Sequence, residues 1–353
     1  MKKKSKKSKS FFKLPSKKLV VKLAVDITAL VSLVGIYAIG FWSPIKEDTF
    51  YRLNSGASVS GVASQMKAQG LINSENLFKV SVVLLGGRVQ TGEYELDKNR
   101  GIWRIAKMMT RGDVASTVIV IPEGLTLKQI KNQLLAEETL SGDVVCASKE
   151  NTNESDSVCN LKEGDLFPDT YRVARGTARL DVLRLSHSKM LSIRKDIEKL
   201  GKKAPSPLKS WDDVITLASI VQKETPMVSE MPIVASVYLN RLKKKMRLQA
   251  DPTVVYAITD GLGDMQGAGL FTGHLKRENP YNTYMNHGLP PGPIANVGRA
   301  AIIAVLNPAD TNYLFFVADG QGGHVFARSY EEHQKNHVNW REIKKARKAA
   351  NSK

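Results

Sequence analysis

One stretch, Ser210–Pro226, with the sequence SWDDVITLASIVQKETP, leaves the chain little choice of conformation. Ser210 followed three residues later by Asp213 has the form of a capping box, and Asp212 and Asp213 put negative charge at the positive end of the helix dipole. Val214, Leu217, Ala218 and Val221 then recur at three- and four-residue spacing as one buried stripe, and Pro226 limits how far the helix runs. Glu224 falls on that apolar stripe, whereas Gln222 and Lys223 point elsewhere. Desolvation disfavours a carboxylate, so an acid held there keeps its proton to higher pH and can act as a general acid near neutrality. The competing reading is that Glu224, in the last turn, swings into solvent or pairs with Lys223 or an arginine.

With 353 residues the chain can bury two or three cores. Its net charge of +18 points first to nucleic acid, but ten lysines and no acid lie in residues 1–22, a basic tail expected on the cytoplasmic side. A second basic stretch, residues 341–353, reads as a solvated helix end. The part between is mildly basic and carries neither a zinc-finger pattern nor an RNA-binding motif, so no nucleic-acid partner is expected. Residues Leu23–Trp42 are long and apolar enough to span a bilayer as a helix, with Asp26 near the basic flank and Tyr37, Phe41 and Trp42 at the far interface. An excess of lysine before this segment orients it with everything after Trp42 outside the cytoplasm. A cleaved signal peptide is the alternative, with Ala38-Ile39-Gly40 a poor cleavage site.

Over residues 49–138 one unit recurs. RLNSGASVSGVASQM from Arg52 aligns with VIPEGLTLKQIKNQL from Val120: Gly56 matches Gly124, Ser58 matches Thr126, Val62 matches Ile130 and Met66 matches Leu134. Each reads as a strand, a glycine turn, a Ser/Thr cap and an amphipathic helix. A weaker variant runs from Tyr94, with Ile102, Ile105 and Met109 on one helical face. Such small LysM-like α+β modules either bind a polymer or pack as a spacer. Residues 139–160 form a polar loop whose Cys146 and Cys159 are either a disulfide or two free thiols.

A second α+β region is expected over residues 161–340. It begins with LKEGDLFPDTYRV from Leu161 and a helix near residues 180–200. Beyond the organising helix, a second one carries Ile233, Val237, Tyr238 and Leu242 toward the core. In MRLQADPTVVYAI, Asp251 reads as a helix cap and Pro252 as first-turn residue. Two loops dense in polar and aromatic groups follow, around Tyr281–Tyr284 and His324, the second a hairpin turned by Gly320, Gly322 and Gly323. Hydroxyl-bonding side chains beside tyrosine faces are what a carbohydrate cleft needs. Neither HExxH nor CxxC occurs and His274, His287 and His324 are scattered, so no metal and no cofactor is expected.

With IPEGLTLKQI, LFPDTYRV, LASIVQKET, ASVYLNRL, MRLQADPTVVYAI, PYNTY, GLPPGPIAN and YLFFVADGQGGHVF in this order, the chain resembles the endolytic murein transglycosylases of the MltG (YceG-like) family. The resemblance implies that Glu224 is the catalytic acid, the position two before it being Gln222 here. It further implies cleavage of the N-acetylmuramic acid β-1,4 N-acetylglucosamine bond within peptidoglycan strands, ending them in 1,6-anhydro sugars and terminating nascent chains. Gln249, Asp251, Asn282, Tyr284 and His324 are the candidates for binding the glycan, with local turn-making as their alternative role. Peptidoglycan is the expected partner, with synthases or division proteins as candidate protein partners, at the bacterial inner membrane. The rival functions are a non-catalytic cell-wall scaffold and a hydrolytic muramidase.

Overall fold

The structure, a computed structural model, describes residues 17–41, 43–146, 157–263, 265 and 269–350. It is an α+β chain that divides into two compact units, residues 1–115 and 116–353, with three two-stranded antiparallel sheets among the described residues. The basic tail before Lys17, and Trp42, lie outside the described residues.

Helix α1 (Lys17–Phe41) opens the first unit, with exposed apolar side chains at Val21, Leu23, Val25, Ile27, Leu30 and Val34. Among the described residues no helix is long and apolar enough to cross a membrane. Strands β1 (Thr49–Leu53) and β2 (Gly92–Leu96) pair antiparallel, with α2 (Val59–Ala68) and α3 (Glu75–Leu84) between them in the chain and α4 (Ile102–Arg111) after them. Alternation sends Tyr51 and Leu53 of β1 and Tyr94 and Leu96 of β2 inward, with Tyr51 directly opposite Tyr94. The apolar faces of the three helices, with Val62, Met66, Phe78, Val82, Ile105 and Met109, close the core on them. Gly56 takes φ +81°, a left-handed turn that most residues resist, and Ser58 then accepts from the Gly61 N–H to start α2.

In the second unit β3 (Ser116–Val120) leads through Gly124 at φ +79° to α5 (Leu127–Ala136), where Thr126 and Gln129 form a capping box. The two similar stretches thus fold alike locally but lie in different units. Strand β3 pairs with β4 (Thr170–Ala174), so Ile119, Ile121, Ile130 and Leu134 bury themselves against Val173 and Val182 instead of against the other copy. Cys146 and Cys159 form a disulfide bridge.

Helix α6 (Arg179–Lys199) precedes α7 (Trp211–Glu224), the organising helix. Its capping box is formed as the spacing predicts: Ser210 Oγ accepts from the Asp213 N–H, and Asp213 Oδ2 from the Ser210 N–H. Helix α7 is buried from Val214 to Val221, more than a single stripe, because α8 (Met231–Lys243) and α11 (Arg299–Leu306) both pack on it. Each fully buried aliphatic side chain there is worth about 1.5–3 kcal/mol. Helices α9 (Asp251–Ile258) and α10 (Thr272–Leu275) lie between α8 and α11 in the chain, and the hairpin of β5 (Phe315–Ala318) and β6 (His324–Ala327) precedes α12 (Tyr330–Ala350). The basic residues 341–350 therefore continue a helix that begins at Tyr330.

Candidate active site

Glu224 is the last residue of α7, and Thr225, extended at φ −138°, ends the helix. A cleft of about 350 Å³ opens beside the carboxyl, lined by Thr126, Lys223, Glu224, Asp251, Pro252, Val255, Tyr256, Gly263 and Ile294. Glu224 is half-buried, and burial pushes its carboxyl up to about 7. The hydroxyl of Tyr238, which is 1% exposed, donates to Glu224 Oε1 at 2.6 Å and pulls the pKa back. The negative charge of Asp251 raises it; His324 and Arg241 lower it.

These neighbours come from separate segments. Buried Arg241 donates through Nε to the Leu314 carbonyl at 2.6 Å and through Nη1 to the Leu248 carbonyl at 2.7 Å, with Phe315 under its guanidinium. It is therefore a fixed cation. Glu230 accepts from the His324 backbone N–H at 2.8 Å and contacts His324 Nδ1 at 2.7 Å, while the Thr225 hydroxyl donates to it at 3.2 Å. That carboxylate ties the β5–β6 turn to the residue following Glu224.

The other candidates separate into cleft and scaffold. Asp251 lines the cleft, but as the first residue of α9 instead of its cap; Ala250 is the cap, and Asp251 Oδ1 accepts from the Tyr284 hydroxyl at 2.6 Å. Tyr284 thus reaches the site through Asp251, and its burial, with that bond, holds the phenol well above its ordinary pKa. Asn282 is 1% exposed, with its amide spent on the Leu275 and Arg277 carbonyls and the Tyr284 N–H. It builds its loop and has no donor left for a sugar. Gln249 is exposed at φ +49°, its N–H bonded to the Thr283 carbonyl, away from this cleft. His324 is outside the cleft lining but acts on Glu224 electrostatically. Gln222 accepts from the Gly298 N–H at 3.1 Å, serving the start of α11 and not the chemistry.

Three residues in or behind the cleft wall have partners that spacing does not show. Glu163 has a carboxyl raised by burial to about 7; it accepts from the Leu127 N–H at 2.6 Å, from Asn296 Nδ2 at 3.1 Å and from the Tyr256 hydroxyl at 3.3 Å. Asn296 also binds the Leu125 carbonyl and the Leu166 N–H, joining the start of α5 to the approach to β4. Lys223, its ammonium pKa lowered by burial, donates to the Gly124 carbonyl at 3.2 Å. The glycine turn and Ser/Thr cap of α5 carry the one legible signal here, since they bring Thr126 to the cleft. Among the described residues no group of three or more His, Cys, Asp or Glu could hold a metal ion.

Residues 51–339 match the YceG-like family. The chain belongs to that family. Among its relatives, the endolytic murein transglycosylase of Bacillus subtilis is 32% identical over 324 residues, 85% of this chain and 88% of the relative. That of Streptococcus pneumoniae is 26% identical over 321 residues, 80% of this chain and 57% of the longer relative. A solved YceG-like protein from Listeria monocytogenes is 30% identical, with a TM-score of 0.48 over 82% of this chain and 99% of that one. As a YceG-like chain it carries the family match through both units, from β1 into α12.

Proposed function

We propose that this chain is an endolytic murein transglycosylase, cutting the muramic acid to glucosamine β-1,4 bond inside peptidoglycan strands. The carrying observation is a carboxyl, Glu224, raised to about 7 at the edge of an open cleft and hydrogen-bonded by a buried tyrosine. The relatives' shared name, endolytic murein transglycosylase, supports the substrate.

Protonated Glu224 gives its proton to the leaving glycosidic oxygen as the bond to the anomeric carbon breaks and positive charge develops there. The resulting carboxylate, steadied by Tyr238 and by the positive charge of Arg241, takes the proton of the muramic 6-hydroxyl. That oxygen attacks the anomeric carbon and closes the 1,6-anhydro ring, so no water is consumed and Glu224 ends as it began. A pKa near the working pH suits both halves of this exchange.

A hydrolytic muramidase is the second reading, favoured by Asp251: its carboxylate lines the same cleft and could serve a water where a two-carboxylate mechanism needs one. Mass spectrometry of digested glycan strands separates the two. Anhydro-muramic ends support the lyase, and reducing ends with one added water overturn it.

The same reading carries the chain's surroundings. The apolar run Leu23–Trp42 would, on its sequence, anchor the protein in the bacterial inner membrane and leave the rest outside the cytoplasm. A disulfide suits an oxidising compartment. The strand-helix-helix-strand order of β1, α2, α3 and β2 suits a LysM-like glycan-binding module. Peptidoglycan synthases or division proteins would be its neighbours.

A further inference from the structure

Tyr256 on α9 faces two cavities. One is the cleft of Glu224. The other, about 420 Å³, plays no part in the proton transfers; Trp211, Tyr281, Glu163 and His187 line it together with Tyr256. We propose that this second cavity is a sugar subsite for the same strand, holding an N-acetylated pyranose beyond the bond that is cut. The inference rests on the reading of the chain as a strand-cutting enzyme.

A cut inside a strand leaves sugars on both sides of the bond, so the protein needs grip beyond the cleft of the acid. The second cavity shares a wall with that cleft and has the chemistry of a carbohydrate site. The rings of Tyr256 and Tyr281 lie 4.9 Å apart at 48°, an angled apolar surface for the C–H face of a pyranose. His187, held through Nδ1 against the Asp165 carbonyl at 3.1 Å, offers a placed polar group for hydroxyl or acetamido atoms.

The wall is built, not a packing gap. The three bonds of Glu163 fix Tyr256, the start of α5 and Asn296 around one carboxyl. Beside it Gly164, at φ +86°, leaves no room for a side chain: a Cβ there would lie 2.8 Å from Ile215 Cγ2 and 2.9 Å from Pro293 Cγ. Residues that hold the partition rigid keep both cavities open at once.

The test uses two variants of the full chain and two substrates. Leu191, on the cavity wall and 44% exposed, becomes Leu191→Trp to plug the cavity from outside the core; Trp211→Leu removes an aromatic face. On long, stem-free glycan strands both variants should lose roughly 3- to 10-fold in kcat/KM through KM, the size of one aromatic contact. On a muramic acid–glucosamine disaccharide, which spans the cut bond alone, they should match the wild type. Wild-type kinetics on both substrates, in variants with unchanged circular dichroism, would overturn the subsite; so would equal losses on both. If the wild type cuts neither substrate, the enzymatic reading fails instead. Calorimetric titration of the long strands then decides the cavity: weaker binding by Leu191→Trp supports it and equal affinity overturns it.

Discussion

The Tyr238 hydroxyl, buried on α8, donates to Glu224 Oε1 across 2.6 Å, joining two helices at the one carboxyl that both needs and resists ionisation. The bond favours the carboxylate; the burial favours the acid. Burial wins, and the carboxyl titrates at about 7.

Removing that hydroxyl should therefore move the titration upward. Tyr238→Phe keeps the ring in the core and deletes the donor, so the alkaline limb of the kcat profile shifts to higher pH. Turnover falls roughly 10-fold or more, the value of a hydrogen bond to a charged acceptor. A pH–rate series on glycan strands checks both; an unmoved limb would mean that the bond does not set the acid.

The same carboxyl fixes a sign for stability. Its pKa rises from 4.5 in an exposed chain to about 7 in the fold, so the folded protein holds a proton that the unfolded chain releases. The stability this supplies is complete below 4.5 and is lost as pH rises through 7; Glu163 contributes with the same sign. Thermal melts across that window should show Glu224→Gln gaining on the wild type as pH rises. Gln keeps an acceptor for Tyr238 and has no charge to bury.

Asp251→Asn tests whether a second carboxylate takes part. It keeps an acceptor for Tyr284 and removes a charge that raises Glu224, so the alkaline limb should move to lower pH while anhydro product persists. A two-carboxylate hydrolase would instead lose about 100-fold or more in kcat.

Gln222→Ala should remain active. It loses the acceptor for the Gly298 N–H at the start of α11, costing about 1 kcal/mol of stability with kcat unchanged. Denaturant titration beside a rate assay reads both.

What the sequence discloses here is local, and what it hides is long-range. The Ser210–Asp213 box, the end of α7 at Glu224 and the caps at Ser58 and Thr126 depend on residues within a turn of one another, and spacing finds them. Strand pairing does not work that way. The stretch at Val120 looks like that at Arg52, yet its partner is β4, some fifty residues on. Asp251 reads as a cap because Pro252 follows it, and only the fold reveals that its oxygen is taken by Tyr284, 33 residues away. Asn282 reads as a sugar ligand until its amide is seen closing its own loop. Glu163 and Glu230 are unremarked among the chain's acids because their partners, Asn296 and His324, lie 133 and 94 residues distant.

The most direct test of the central claim is the product spectrum of Glu224→Gln beside that of the wild type, on stem-free glycan strands. The wild type should release 1,6-anhydro-muramic ends and the variant none, with circular dichroism unchanged, since the swap replaces one carboxyl oxygen by an amide nitrogen. Anhydro ends released by Glu224→Gln at the wild-type rate would contradict that claim.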